Sequence, residues 1–378
     1  MIILLSGVET NNKGAELMLY AILQEIERKY PDADIYISSN NVGQGLDYVR
    51  TNLKMHFLPY EKLIGKTHIN SILWRMGLQT IEGMNFVSSN YFFDGSGFLF
   101  SDQCKLWGTN PKWWENILNH QSKKGSNIVF LPQAFGPIEL EMTKQAVSVL
   151  GKYATIIMPR EQVSYDYLKK SDLVDMRKVH MYTDFTSLVD GIFPNNYNHL
   201  KGGICIIPNK KMIEKGGISY ENYIRLLSEI AQEGKKSGRP IYLLNHEGPK
   251  DAELCVQCKE SLDNKVEAVT DLNGLEVKGL ISSAYLVITS RFHGLASSLN
   301  TGVPTLATSW SHKYEELFKD YGLGKEFILP LENKDAALEK VGILLDKNEN
   351  SRIRTIIESK VPDIKKQTCE MWNTIWNL

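Results

Sequence analysis

Short apolar runs alternate with helix-length periodic segments almost throughout this chain, the pattern of βα units laid on parallel sheets. The fold class is therefore α/β. In the first half the strand candidates are Ile2 to Leu5, Asp34 to Ile37, Lys54 to Leu58, Tyr91 to Phe93, Asn127 to Leu131, Thr155 to Met158 and His180 to Tyr182. The clearest helix carries Ala15, Met18, Leu19, Ile22, Leu23 and Ile26 at three- and four-residue intervals. It follows Thr10-Asn11-Asn12, an entry suited to N-capping. After Asp190 the stretch GIFPNNYNHLKGG has no sustained period and reads as a linker.

A second run of strands is expected at Gly203 to Ile207, Ile241 to Leu244, Val266 to Val269, Tyr285 to Thr289 and Thr305 to Ala307, finishing near Phe327. Helical text follows from Lys334. Val361-Pro362 marks a break before a last helix, whose Trp372 and Trp376 share a face at i,i+4 spacing. A chain of 378 residues fits two domains of roughly 150 to 200 residues. The expected boundaries are 1–188 and 200–360, with 361–378 crossing back onto the first domain. Two doubly wound domains face a cleft bordered by the carboxyl ends of both sheets, where ligands of open α/β sheets bind.

Lys plus Arg (43) nearly cancel Asp plus Glu (44), leaving a net charge of -1 and no general attraction for nucleic acid. Anion binding must be local. No segment approaches the ~18 uninterrupted apolar residues of a membrane span. The opening MIILLSGVET reads as a first strand without a basic leader, so a cytoplasmic location is expected. Five cysteines, an odd number, argue for reduced thiols. Cys255 and Cys258 have metal-like spacing but no second pair, so no metal site is expected.

The chemistry concentrates in residues 285–314, YLVITSRFHGLASSLNTGVPTLATSWSHKY. An apolar strand runs into Arg291-Phe292-His293-Gly294 and a short helix pattern, placing a guanidinium and an imidazole at a helix N-terminus, where anions bind. Arg offers a planar fork matched to carboxylate or phosphate, and His moves protons near neutral pH. The plainer alternative pairs Arg291 with an acidic neighbour and leaves His293 capping the helix. His312 and Lys313 open the next helix, and His246 ends another strand.

In the first half, Asn12, Gly14 and Glu16 lie where the first strand gives way to the first helix. A polar ligand fits there, and so does simple capping. Asp94 ends a strand before Gly95-Ser96-Gly97, as a proton acceptor for a sugar hydroxyl or as an Asx-turn. Trp107, Trp113 and Trp114 suit stacking on sugar rings or packing in a core. Gln133 follows a strand, and Arg160 sits at a helix start, either holding an anion or paired with Glu161 or Asp184.

These pieces in this order, NNKGAE, FDGSG, LPQAFGP, PREQVSYDYL, Asp184 and above all SRFHGLASSLNTGVPTLATSWSHKYEEL, resemble the polysaccharide pyruvyl transferase family over about residues 1 to 325. FDGSG carries Asp where the family often shows glycines, and PRE replaces the more usual Arg-Asp. The resemblance implies two Rossmann-like domains of GT-B type. It implies phosphoenolpyruvate as co-substrate, with no further cofactor, and a sugar or lipid-linked oligosaccharide of a cell-surface polysaccharide precursor as acceptor. The product is a cyclic pyruvate ketal, formed with release of phosphate. His293 is then the candidate acid and Asp94 the candidate base. Arg291, Arg160, His312 and Lys313 are the donor-binding set, and Asn12, Gly14, Glu16, Trp107 and Gln133 the acceptor-binding set. Lipid-linked acceptors imply peripheral contact with the inner face of a membrane. Two other readings stay open: a GT-B nucleotide-sugar glycosyltransferase or epimerase, and a non-catalytic carbohydrate-binding protein.

Overall fold

The computed structural model describes residues 1–58, 83–85, 87–104, 110–309 and 313–378. Contacts divide the chain into two compact units. Met1–Asn11, Met18–Phe185 and Glu370–Leu378 form the first, and Asn12–Leu17 with Thr186–Cys369 the second.

The first unit holds six parallel strands, β1 (Ile2–Ser6), β2 (Asp34–Ile37), β3 (His56–Phe57), β4 (Tyr91–Asp94), β5 (Asn127–Gln133) and β6 (Ile156–Pro159), in the order β3-β2-β1-β4-β5-β6. Ile3 lies opposite Ile35 on one side and Tyr91 on the other. The central strands β1, β4 and β5 read as largely apolar runs because they are covered on both faces. Leu4, Leu5, Phe92, Phe93, Val129 and Phe130 are accordingly buried. Among the described residues its helices are α1 (Lys13–Lys29), whose first turn counts with the second unit, α2 (Leu46–Asn52), α3 (Pro111–Lys123), α4 (Glu141–Tyr153) and α5 (Gln162–Ser171). Helix α3 begins where the Asn110 side chain accepts from the backbone N–H groups of Lys112 and Trp113, with Pro111 in the first turn. That start turns Trp114 into the core against Phe100 and Phe130, so it offers no face to a sugar.

The second unit holds β7 (Ile204–Ile207), β8 (Ile241–Leu244), β9 (Glu267–Val269), β10 (Leu286–Thr289) and β11 (Thr305–Ala307), ordered β11-β10-β7-β8-β9. Its helices are α6 (Lys211–Lys215), α7 (Tyr220–Lys235), α8 (Gly248–Ser261), α9 (Gly274–Ser282), α10 (Phe292–Asn300), α11 (Lys313–Asp320), α12 (Lys334–Leu345) and α13 (Lys347–Trp376). Strand order reverses between β1 and β4 in one sheet and between β7 and β10 in the other, as in Rossmann-like folds. Among the described residues no helix is long and apolar enough to cross a membrane.

Four local expectations are corrected. His180 to Tyr182 is not a strand: His180 and Tyr182 donate to Ile157 and Pro159 along the β6 edge, with a single bridge at Val179. Phe327 ends a 3₁₀ turn, and a lone bridge joins Ile328 to β11. Such partial pairing covers an edge strand without extending the sheet. The supposed linker lies within the second unit, since Leu200 is buried with Phe193 and Tyr197 packed on the same cluster. Helix α13 runs unbroken through Pro362. An interior proline costs about 3 kcal/mol, and buried residues hold the helix on either side: Ile353, Ile357 and Ile364 in the second unit's core, then Met371, Trp372 and Ile375.

Candidate active site

Strand β10 delivers Ser290 and Arg291 to the start of α10, and the peptide there is fastened from several sides. Thr289 Oγ1 accepts from the Arg291 N–H (3.0 Å) and donates to the Arg291 carbonyl (3.1 Å). Ser290 Oγ lies 2.6 Å from both the Tyr223 hydroxyl and Thr308 Oγ1, while its carbonyl accepts from Asn209 and from the Tyr314 hydroxyl, each at 2.8 Å. A side-chain carbon at Gly294 would fall 2.5 Å from Thr289 Oγ1, so only glycine lets α10 close so tightly on β10. This is a pre-organised support for the two residues that follow the strand.

The Arg291 guanidinium is not an open fork. Asp251 Oδ2 accepts from Nε at 2.7 Å and pairs with an outer nitrogen at 2.5 Å, while Asp251 Oδ1 accepts from the Lys210 backbone N–H at 3.1 Å. Glu247 pairs with the other outer nitrogen. Burial pushes the Asp251 carboxyl up to about 7 and Arg291 down to about 10. The Lys210 N–H and the Lys211 and Lys210 charges oppose the rise at Asp251, and Tyr314, Tyr223 and Glu214 oppose the fall at Arg291. In the ligand-free chain the guanidinium thus faces two carboxylates, the acidic pairing weighed for Arg291 as the plainer alternative. The sequence reading did not single out Asp251. Its only signal is an acid in the first turn of the helix after β8, meaningful once β8, β7 and β10 are known to be neighbours.

His293 is half-buried in the first turn of α10, beside the Phe292 ring. The first turn of α1 lies against it, for a side-chain carbon at Gly14 would fall 2.3 Å from His293 Nδ1. Asn12 caps α1, accepting from the Gly14 N–H at 2.9 Å. Glu16, 2 % exposed, binds Lys13 (2.9 Å) and accepts from the Gly274 N–H (2.9 Å). In the ligand-free chain it therefore joins α1 to α9. Asn12 and Gly14 lie in the same unit as Arg291 and His293.

His246, a strand-end histidine that suits proton transfer, phosphate contact or a plain surface place, is 3 % exposed and accepts from the Lys13 N–H through its carbonyl. Among the described residues its Nδ1 has no hydrogen-bond partner. Burial, then the charges of Arg291 and His293, hold its pKa down to about 3, so the ring is neutral at working pH. Unfolding restores an ordinary histidine, so between about pH 6.5 and 3 the unfolded state binds the extra proton and stability falls as pH falls. We expect His246→Gln to flatten the acid limb of a stability–pH curve by about 2 kcal/mol between pH 6.5 and 5, measured by urea unfolding. An unchanged limb would show that this imidazole is not held neutral.

In the first unit the candidates are likewise engaged. Asp94 is fully buried and accepts from Ser96 Oγ (2.8 Å), the Ser96 N–H (3.3 Å) and Gln133 Nε2 (3.2 Å). Burial raises its pKa. Its place is an Asx-turn, the alternative weighed for it beside a role as base. Gln133 is buried beside it, donating from Nε2 to Asp94. Arg160 is 5 % exposed, 3.4 Å from Glu161 and 4.0 Å from Asp184, the paired alternative to anion binding. Lys313 is half-buried, its ammonium 5.4 Å from the Phe292 ring centroid. Trp107 and His312 lie outside the described residues. Cys255 and Cys258 are buried thiols whose pKa burial raises, Cys258 to about 12, so neither is a reactive thiolate. No metal-ligating cluster occurs among the described residues.

Solved structures similar to this chain include a Neisseria meningitidis UDP-GlcNAc 2-epimerase bound to UDP-GlcNAc (9% identity, 100% of both chains, TM-score 0.63) and the S. aureus MnaA–UDP co-structure (13%, 99% of this chain and 95% of that one, 0.62). A Methanocaldococcus jannaschii UDP-GlcNAc 2-epimerase in complex with UDP-GlcNAc and UDP is also similar (13%, 92% and 94%, 0.55). At such identities the likeness speaks for the fold, two Rossmann-like units of GT-B type. No curated protein matches the sequence. The family comparison goes further: residues 12–312, from the cap of α1 to beyond the Arg291–His293 turn, match Polysaccharide pyruvyl transferase, and the chain belongs to that family.

Proposed function

We propose that the protein transfers the pyruvyl group of phosphoenolpyruvate to two hydroxyls of a sugar in a cell-surface polysaccharide precursor. Two sugar oxygens bond to the enol carbon, the methylene takes up a proton to become methyl, and the carbon–oxygen bond to phosphate breaks. One hydroxyl proton replaces the proton delivered to the methylene, and the other leaves with inorganic phosphate. The observation that carries this reading is the meeting of two remote parts of the family-matched span, the Gly14 turn and the His293 imidazole. An imidazole beside a charged cluster at the carboxyl ends of β8 and β10 suits delivery of the proton to the methylene carbon, where positive charge develops on the neighbouring carbon. We assign His293 that role. The acceptor is a sugar or lipid-linked oligosaccharide met at the inner face of a membrane, and no further cofactor is invoked.

The test is phosphate release from phosphoenolpyruvate with a panel of hexose acceptors, alongside melting shifts with phosphoenolpyruvate and with UDP-sugars. Acceptor-dependent release supports the assignment. A shift with UDP-sugars and no release favours a nucleotide-sugar epimerase or glycosyltransferase, and sugar binding without release a carbohydrate-binding protein. Gly14→Ala gives a second check. The added methyl must displace the imidazole, and a misplacement of that size costs about 10²-fold in turnover, whereas alanine favours the α1 helix itself. Near-normal turnover in this variant would remove the contact from the mechanism.

A further inference from the structure

Two carboxylates hold Arg291, and they differ in one respect that matters. Asp251 is 1 % exposed and uses both oxygens, Oδ2 on the guanidinium and Oδ1 on the Lys210 N–H. The Glu247 side chain is 30 % exposed. Arg291 and Glu247 are moreover the N-cap residues of α10 and α8, and neither helix receives a side-chain cap. The two residues of this pair thus mark two helix N-termini, whose first N–H groups favour an anion.

We propose that Glu247 is a resident substitute for the donor's anion and that Asp251 is the permanent anchor of Arg291. In the ligand-free protein the Glu247 carboxylate keeps the guanidinium charged and aimed. An arriving phosphate or carboxylate takes its place, and Glu247 turns toward water at small cost because it is already partly hydrated. Asp251 does not exchange, since removing one member of a buried pair strands the other charge. This accounts for how an arginine found fully paired still serves anion binding. It rests on the donor assignment above, and both acids are positioning residues that act through Arg291.

The two acids, bound to one guanidinium, must then respond in opposite directions. Glu247→Gln removes an internal competitor and is expected to lower the KM for phosphoenolpyruvate about three- to tenfold, the scale of a partly exposed ion pair. Asp251→Asn is expected to lower kcat/KM about 100-fold or more, with partial rescue by Asp251→Glu. Calorimetric titration with inorganic phosphate reads the same exchange without turnover, and Glu247→Gln should tighten it by the same three- to tenfold. A merely structural role for Glu247 would weaken binding or leave it unmoved, and either result overturns the proposal. Should Asp251→Asn fail to fold, the Glu247→Gln titration decides by itself. Absence of phosphate release by the wild-type protein would count against the donor assignment, whereas the phosphate titration still judges the exchange.

Discussion

Alanine at position 293 is expected to cut acceptor-dependent phosphate release by about 10²-fold or more while leaving the fold in place. The first turn of α10 is held by Thr289, Ser290 and the close approach of Gly294, none of which depends on the imidazole. The drop should appear in kcat, because a proton delivered in the transition state contributes little to ground-state binding. His293→Gln, which hydrogen-bonds but does not titrate, should be about as slow as alanine. A glutamine variant with near wild-type turnover would reduce His293 to a binding residue.

Trp372→Ala carries the largest expected loss of stability, about 3–5 kcal/mol, as for other buried tryptophans. Trp372 is 1 % exposed and stacks on Trp376 with ring centroids 5.6 Å apart. It meets Phe93 and Phe185 edge-on, while Trp376 meets Tyr30, Tyr91 and Phe93. At about 2–4 °C per kcal/mol for a unit of this size, the melting temperature should fall by on the order of 10 °C in a calorimetric scan. A shift within a degree or two would mean that this aromatic cluster does not stabilise the first sheet.

The strands most legible in the sequence were those buried on both faces. Ile241 to Leu244 coincides with the observed β8, buried at every position, because a covered parallel strand leaves a continuous apolar run, whereas Asp34 to Ile37 coincides with β2 on alternating burial. The segment His180 to Tyr182 follows the β6 edge with a single bridge at Val179, a pairing that depends on its neighbour and leaves no local signal separating it from a strand. Pro362 was misread because a local helix-breaking rule lost to burial on both sides of it. At the site, the position of Arg291 and His293 after a strand was readable, but the partners of Arg291 were not. Asp251 lies 40 residues away and reaches the guanidinium only through the order β8-β7-β10. The Gly14 turn looked like a ligand loop of the first domain, and nothing local discloses that its missing side chain makes room for His293.

Two short stretches belong with the half of the chain from which they are remote in sequence: Asn12–Leu17 with the second unit and Glu370–Leu378 with the first. No single cut therefore yields two self-sufficient fragments. Severing the chain after Phe185 strands the tryptophans that cover Tyr91 and Phe93 on the distal piece, and the glycine turn beneath His293 on the proximal one. Each piece would need co-expression with the other to regain its own interior, so gene halves of this protein are expected to complement and not to stand alone.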